Sequence, residues 1–213
     1  MSPVDLPISA IIYGFTQSAV AVMAAAAVLE AGKRPFDLFG MMVIAMAAAL
    51  GGGTLRDLLL DRTVFWVADQ TYLFVALGAG LLTFFLARRI DLPSRLFLIP
   101  DALGLALFTV AGCKVALLLE APWLVASFMG VITGVMGGVL RDVLCNEEPL
   151  VFQGPLYATA AWCGALLLIG LLKLQVDATL AALIAGSTIF LLRMAALYWD
   201  LGLPKYQRSS GTD

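Results

Sequence analysis

Gly51-Gly52-Gly53-Thr54-Leu55-Arg56-Asp57 returns later in the chain as Gly137-Gly138-Val139-Leu140-Arg141-Asp142. Aligning Gly52 with Gly137 carries Tyr72 onto Tyr157 and Ala76 onto Ala161 in the same register. Val64-Phe65 also has an echo, Val151-Phe152, which is slipped slightly. Self-similarity at a fixed spacing marks duplicated architecture and is read before anything else. Each copy spans three apolar runs, with the glycine motif late in the second run.

The runs themselves set the class. Of the 213 residues, 62% are hydrophobic and 13% are charged, and mean hydropathy is +0.97. A soluble domain carries roughly 45–50% apolar and about 25% charged residues. This chain has too little polar surface to cover a core in water. Its runs of about 20 residues fit membrane helices, whereas barrel strands alternate over roughly 10. The fold expected is an all-α membrane protein with seven transmembrane helices. The spans are residues 7–31, 36–60, 71–87, 97–119, 123–145, 155–174 and 178–201. The transmembrane domain covers 1–205. Repeat one is 7–87, repeat two is 97–174, and the seventh helix, 178–201, stands outside both. Residues 206–213 read as a disordered tail.

Three spans per copy is an odd number, so the second copy starts on the opposite side of the bilayer. The two repeats should therefore be inverted, related by a pseudo-two-fold axis in the membrane plane. Solute-passing proteins are often built this way, with the path at the repeat interface. Basic residues orient the chain. Arg56, Arg62 and Lys173 fall on the N-terminal side; Lys33, Arg34, Arg88, Arg89, Arg95, Arg141, Lys205 and Arg208 fall on the other. The positive-inside rule puts that second side and the C-terminus in the cytoplasm. Asp5 and the absence of a basic residue in Met1–Leu6 argue against a cleaved signal peptide.

Several chemistries are excluded. There is no histidine, which removes imidazole catalysis and histidine metal sites. Cys113, Cys145 and Cys163 stand in no metal-ligand spacing and read as small buried hydrophobes. No hydrolytic constellation, metal site or cofactor site is visible, so an enzyme is not expected. A net charge of −2 gives no case for nucleic acid.

Two readings compete for the glycines. Three in a row are a poor helix interior, each costing about 1 kcal/mol relative to alanine. Broken backbone survives in a bilayer only inside protein or beside water. Gly51, Gly52, Gly53, Gly137 and Gly138 then mark helix breaks whose freed carbonyls line a path, with the hydroxyls of Thr54 and Thr133 nearby. The alternative is close packing through small residues, which Gly130, Gly134, Gly137 and Gly138 fit well, Gly130 and Gly134 being a small-xxx-small face. Since both copies carry the motif, the break beside a pore is favoured.

Arg56-Asp57 and Arg141-Asp142 are the charged candidates. A mid-bilayer charge costs about 2.5–3.5 kcal/mol, so it pairs, snorkels or lines water. Adjacent helical residues do not face each other, so each arginine is expected to find its partner on another helix. The alternative places both pairs in the headgroup zone. Lys114, inside an apolar run, is expected to face the interior. Asp101 reads as an N-cap, Arg193 as a snorkelling residue. Trp66, Tyr72, Trp123, Tyr157, Tyr198 and Trp199 read as interfacial anchors.

With these motifs the chain resembles the trimeric intracellular cation channel family, in its prokaryotic branch. Further motifs carry the likeness: Asp37-Leu38-Phe39-Gly40, Phe65-Trp66-Val67 and Asp101-Ala102-Leu103-Gly104-Leu105-Ala106. The resemblance implies a homotrimer in a bacterial or archaeal cell membrane, in contact with lipid. It implies a separate path in each protomer for monovalent cations, mainly potassium, along the second and fifth spans kinked at their glycines. It makes Lys114 the nearest counterpart of a gating motif in animal members. The main rival reading from the residues is a secondary transporter of a small solute such as a small amino acid, since inverted repeats with broken helices serve carriers equally well.

Overall fold

The computed structural model describes residues 10–89, 93, 95–153 and 156–204. The expected tail, 206–213, lies outside the described residues, as do Lys205 and Arg208. Among the described residues eight α-helices follow in order: α1 Ala10–Ala31, α2 Leu38–Leu59, α3 Phe65–Ala68, α4 Thr71–Ala87, α5 Leu98–Leu118, α6 Trp123–Leu144, α7 Ala158–Lys173 and α8 Ala178–Trp199. A 3-10 turn occupies Leu150–Phe152. Seven of the helices fall on the seven apolar runs. The eighth, α3, is a single turn that hydropathy alone does not reveal.

Among the described residues, five helices are long and apolar enough to cross a membrane: Ile12–Ala31 within α1, α2, α5, α6 and α8. Helices α4 and α7 are apolar but shorter, at 17 and 16 residues. Local signals set several boundaries. Asp37 caps α2, its Oδ1 accepting from Gly40 N at 2.7 Å. Asp177 caps α8 in the same way. Such caps satisfy N–H groups that the first turn leaves without partners. Helices α2, α5, α6, α7 and α8 are each followed by a residue in the left-handed region: Asp61, Glu120, Asn146, Gln175 and Asp200.

Packing divides the helices into two groups. Helices α1, α2 and α4 touch one another, as do α5, α6 and α7. Each group has its own apolar core. The groups meet where α1 packs on α5 and α2 crosses α6, and α8 lies against α5 and α7. Alanine dominates the inner face of α1, with Ala19, Ala24, Ala27 and Ala31 all buried. Small side chains let the neighbouring backbones approach closely.

Contacts between turns define two ends of the bundle. At one, Tyr13 donates to Asp69 at 2.9 Å, and Lys114 reaches the start of α8. At the other, Arg34 pairs with Glu147 at 2.7 Å, close to Lys33, Phe97 and Asp200. The C-terminus of α2 lies at the first end, that of α6 at the second.

Candidate functional site: two buried arginine–aspartate caps

The glycine runs do not break the helices. α2 is helical without interruption from Leu38 to Leu59, and α6 from Trp123 to Leu144. The glycines instead hold the helices together. A Cβ on Gly52 would stand 2.2 Å from the Thr133 carbonyl oxygen, and one on Gly137 would stand 2.2 Å from the Ala48 carbonyl oxygen. The contact is reciprocal, each glycine admitting the backbone of the facing helix. Gly130 and Gly134 open a second face of α6 to Thr109 and Leu105 of α5. Gly51 faces Leu140 and Gly53 faces the Phe65 ring. The expected break is thus replaced by close approach, because the crossing helix fills the space that a break would have opened.

The threonine hydroxyls satisfy local partners. Thr133 Oγ1 donates to Met129 O at 2.6 Å and lies against Gly112. Thr54 Oγ1 donates to Leu50 O at 2.7 Å and accepts from Trp66 Nε1 at 2.9 Å. Trp66 is therefore tied to α2 in addition to any role at the membrane surface.

One helical turn beyond the glycines, the charged pairs are buried. Arg56 is 2% exposed and Arg141 is fully buried. Each arginine binds its own neighbour, which the helix geometry was expected to prevent: Arg56 Nε donates to Asp57 Oδ1 at 2.8 Å, and Arg141 Nε donates to Asp142 Oδ1 at 2.8 Å. Arg141 also has the expected partner on another helix, Asp101 of α5. Adjacent Cβ atoms are about 100° apart on a helix, but the long arginine stem brings its guanidinium round to the short carboxylate. The second carboxylate oxygen then pins the chain that follows. Asp57 Oδ2 accepts from Phe65 N at 2.8 Å, the first residue of α3. Asp142 Oδ2 accepts from Leu150 N at 2.9 Å, the first residue of the 3-10 turn. Phe65 and Leu150 share the register of Gly52 and Gly137, so the structural match is unslipped and the Val-Phe echo is off by two positions.

The second cap has partners from three more places. Arg141 Nη1 donates to Asp101 Oδ1 on α5 at 2.5 Å. Tyr157 donates to the same oxygen at 3.3 Å. Arg193 of α8 stacks on the Tyr157 ring, 4.6 Å from its centroid, and donates to Leu156 O at 3.3 Å. Asp101 lies within α5 and is fully buried, so it is a cross-helix partner and no cap. Arg193 is buried too, so it does not snorkel. Tyr72 and Tyr157 are 2% and 3% exposed and sit under the two caps, so neither is an interfacial anchor. Their shared register was the signal that could have found them. Trp123, Tyr198 and Trp199 remain exposed near helix ends.

Lys114 belongs to neither cap. Its Nζ donates to Ala178 O at 3.3 Å, in the first turn of α8 beside Asp177. The lysine stem carries the charge to the turn at the first end. Cys113 and Cys145 are buried, as expected, but Cys163 is exposed on α7.

A helical membrane protein with matched glycine crossings and buried arginine–aspartate caps is what these contacts define. A family model described as "Glycine transporter" matches residues 15–88 and again residues 98–173. The chain belongs to that family, which is the trimeric intracellular cation channel, or TRIC, family. The UPF0126 inner membrane protein YadS of Escherichia coli K12 is 40% identical over 92% of this chain and 96% of its own length. A UPF0126 membrane protein of Vibrio cholerae is 39% identical over 93% of this chain and 84% of its own. Among solved structures, the TRIC trimeric intracellular cation channel orthologue from Rhodobacter sphaeroides superposes with a TM-score of 0.86 at 35% identity, covering 90% of this chain and 99% of that one. A second structure, from work on conductance through TRIC cation channels, gives a TM-score of 0.82 at 30% identity, covering 93% and 98%.

Proposed function

We propose that the protein is a homotrimeric channel for monovalent cations, mainly potassium, with one path in each protomer along α2 and α6. The reading includes seven crossings, two inverted three-helix repeats and a cytoplasmic C-terminus. The observation that carries it is the pair of matched caps at opposite ends of the glycine-packed α2–α6 pair. Each cap buries charge that hydrocarbon would not tolerate, and buried intramembrane charge ordinarily marks an ion or solute pathway. The likeness to the Rhodobacter sphaeroides cation channel over nearly the whole chain supports the same reading.

In this mechanism the caps hold the ends of α2 and α6 and set the field at the two mouths. Arg56, Asp57, Arg141 and Asp142 are positioning residues. Gly52 and Gly137, with Gly51 against Leu140, keep the two helices close enough for their backbones to flank the path, while Gly134 seats α6 on α5, Gly53 admits the Phe65 ring and Gly138 admits Tyr157. Planar-bilayer recording of the purified protein in potassium chloride tests the proposal. Ohmic single-channel currents that reverse at the potassium potential are expected.

The family description favours a second reading, a carrier of a small amino acid. It predicts saturable glycine uptake into proteoliposomes driven by a proton or sodium gradient, with no unitary currents. That result would replace the channel.

A further inference from the structure

The register that matches the two caps extends to the helices packed beside them. Met23 of α1 reaches Gly104 and Gly137 in the second repeat, and Phe108, at the matching position of α5, joins the apolar core of the first. α1 therefore stands to the first cap as α5 stands to the second, and Thr16 occupies the position of Asp101. Ring contacts agree. Tyr13, one turn before Thr16, packs on Tyr72 at 5.6 Å, Tyr72 meets Phe65 at 4.7 Å, and the Phe65 ring is 5.7 Å from the Arg56 guanidinium.

The two arginines differ in what they bind. Arg141 holds two carboxylates, Asp142 through Nε and Asp101 through Nη1. Arg56 directs both Nε and Nη2 at one oxygen, Asp57 Oδ1, each at 2.8 Å. Arg56 Nη1 is buried and, among the described residues, has no hydrogen-bond partner. Thr16 turns its hydroxyl to Ile12 O at 2.8 Å instead. Gln17, the next residue, buries an amide whose Nε2 and Oε1 also have no partner among the described residues, whereas its counterpart Ala102 needs none. A guanidinium offers five N–H donors and no acceptor. Leaving one of them unpaired in a low-dielectric interior is costly, more so because the group is charged.

We propose that the first cap binds a small monovalent anion, of the size of chloride, on Arg56 Nη1, at the place where the second cap has the Asp101 carboxylate. Two negative groups on one guanidinium is the arrangement that Arg141 already shows, so Asp57 does not bar a second. Charge-assisted hydrogen bonds from arginine to an anion are among the strong ones. The unpartnered donor draws the anion in, and not a net charge at the mouth, where the exposed Asp61 offsets Arg62. Docked there, the anion ties the end of α2 to α1 as Asp101 ties the end of α6 to α5. The site is the same whether the protein is a channel or a carrier.

Thr16→Asp supplies the same group from within the chain and so provides the test. Thermal midpoints of the parent and of Thr16→Asp are compared in sodium chloride and in sodium gluconate at equal ionic strength, gluconate being too large for the cap. The parent should gain stability with chloride, each tenfold rise above the dissociation constant multiplying its folded-to-unfolded ratio by about ten. Thr16→Asp should lose that dependence and keep only the general salt effect common to both proteins. Bromide scatters anomalously, so parent crystals soaked in sodium bromide should show a peak at hydrogen-bond distance from Arg56 Nη1. Equal chloride dependence in the two proteins overturns the inference. So does a bromide-soaked crystal with water alone, or nothing, at that nitrogen. Should Thr16→Asp fail to fold, the crystals decide by themselves. Neither measurement reads cation current or glycine uptake, so failure here leaves the proposed function standing.

Discussion

Asp101 of α5 and Arg141 of α6 stand 2.5 Å apart, oxygen to nitrogen, and both are fully buried. The register that pairs Gly52 with Gly137 pairs Asp101 with Thr16 of α1, whose hydroxyl donates to Ile12 O within its own helix. The first cap therefore lacks the carboxylate that ties the second cap to a neighbouring helix. Removing one member of a buried ion pair leaves the other uncompensated, at a cost of about 3–5 kcal/mol. Asp101→Ala should lower the thermal midpoint of the purified protein sharply, and Thr16→Ala only slightly. Equal shifts for the two variants would show that the Arg141 pair contributes no more than a threonine back-bond.

The glycines divide by what surrounds them. A methyl at Gly52 meets the Thr133 carbonyl, which is backbone and cannot turn aside. Overpacking of this kind costs about 1–3 kcal/mol, so Gly52→Ala and Gly137→Ala should each destabilise the fold. Gly78 in α4 and Gly170 in α7 have nothing within 4 Å of that position. There alanine should stabilise by about 0.5–1 kcal/mol, the ordinary cost of a helical glycine. Thermal unfolding of the four variants in one detergent checks the contrast, which disappears if α2 and α6 do not touch.

Lys114 reaches the Ala178 carbonyl in the turn at the first end. A charge already at the surface crosses little of the membrane field. Lys114→Ala should therefore leave the conductance–voltage relation where the parent has it. A changed slope would return Lys114 to the gating residues.

Asp177 accepts from Thr179 N at 2.9 Å and from Leu180 N at 3.0 Å. The N–H groups of Leu180 and Thr179 hold its carboxyl below the usual carboxylate range. With the folded-state value depressed, the cap is at full strength above the ordinary range and weakens as pH falls through the folded value. Amide exchange in the first turn of α8 should speed up, beyond the intrinsic pH effect, as pH drops below about 4. In Asp177→Asn that extra acid dependence should vanish.

Hydropathy and repetition made much of this architecture legible in advance. Apolar runs placed seven of the helices, five of them of membrane length. The duplicated Gly-Gly-x-Leu-Arg-Asp motif located both caps, because identical residues in one register build the same local hydrogen bonds, from Asp57 to Phe65 and from Asp142 to Leu150. Tertiary structure decided the rest. Asp101, Tyr157 and Arg193 reach the second cap from three separate stretches of chain, and linear spacing is silent on which helix faces meet. Arg56 and Arg141 folding onto their own neighbours followed from the space left around each side chain, which the chain's order does not contain. The glycines carry the same lesson. A side chain reduced to hydrogen permits a broken helix or a close crossing with equal ease, and only the Thr133 and Ala48 carbonyls, 2.2 Å from where each methyl would stand, select the crossing.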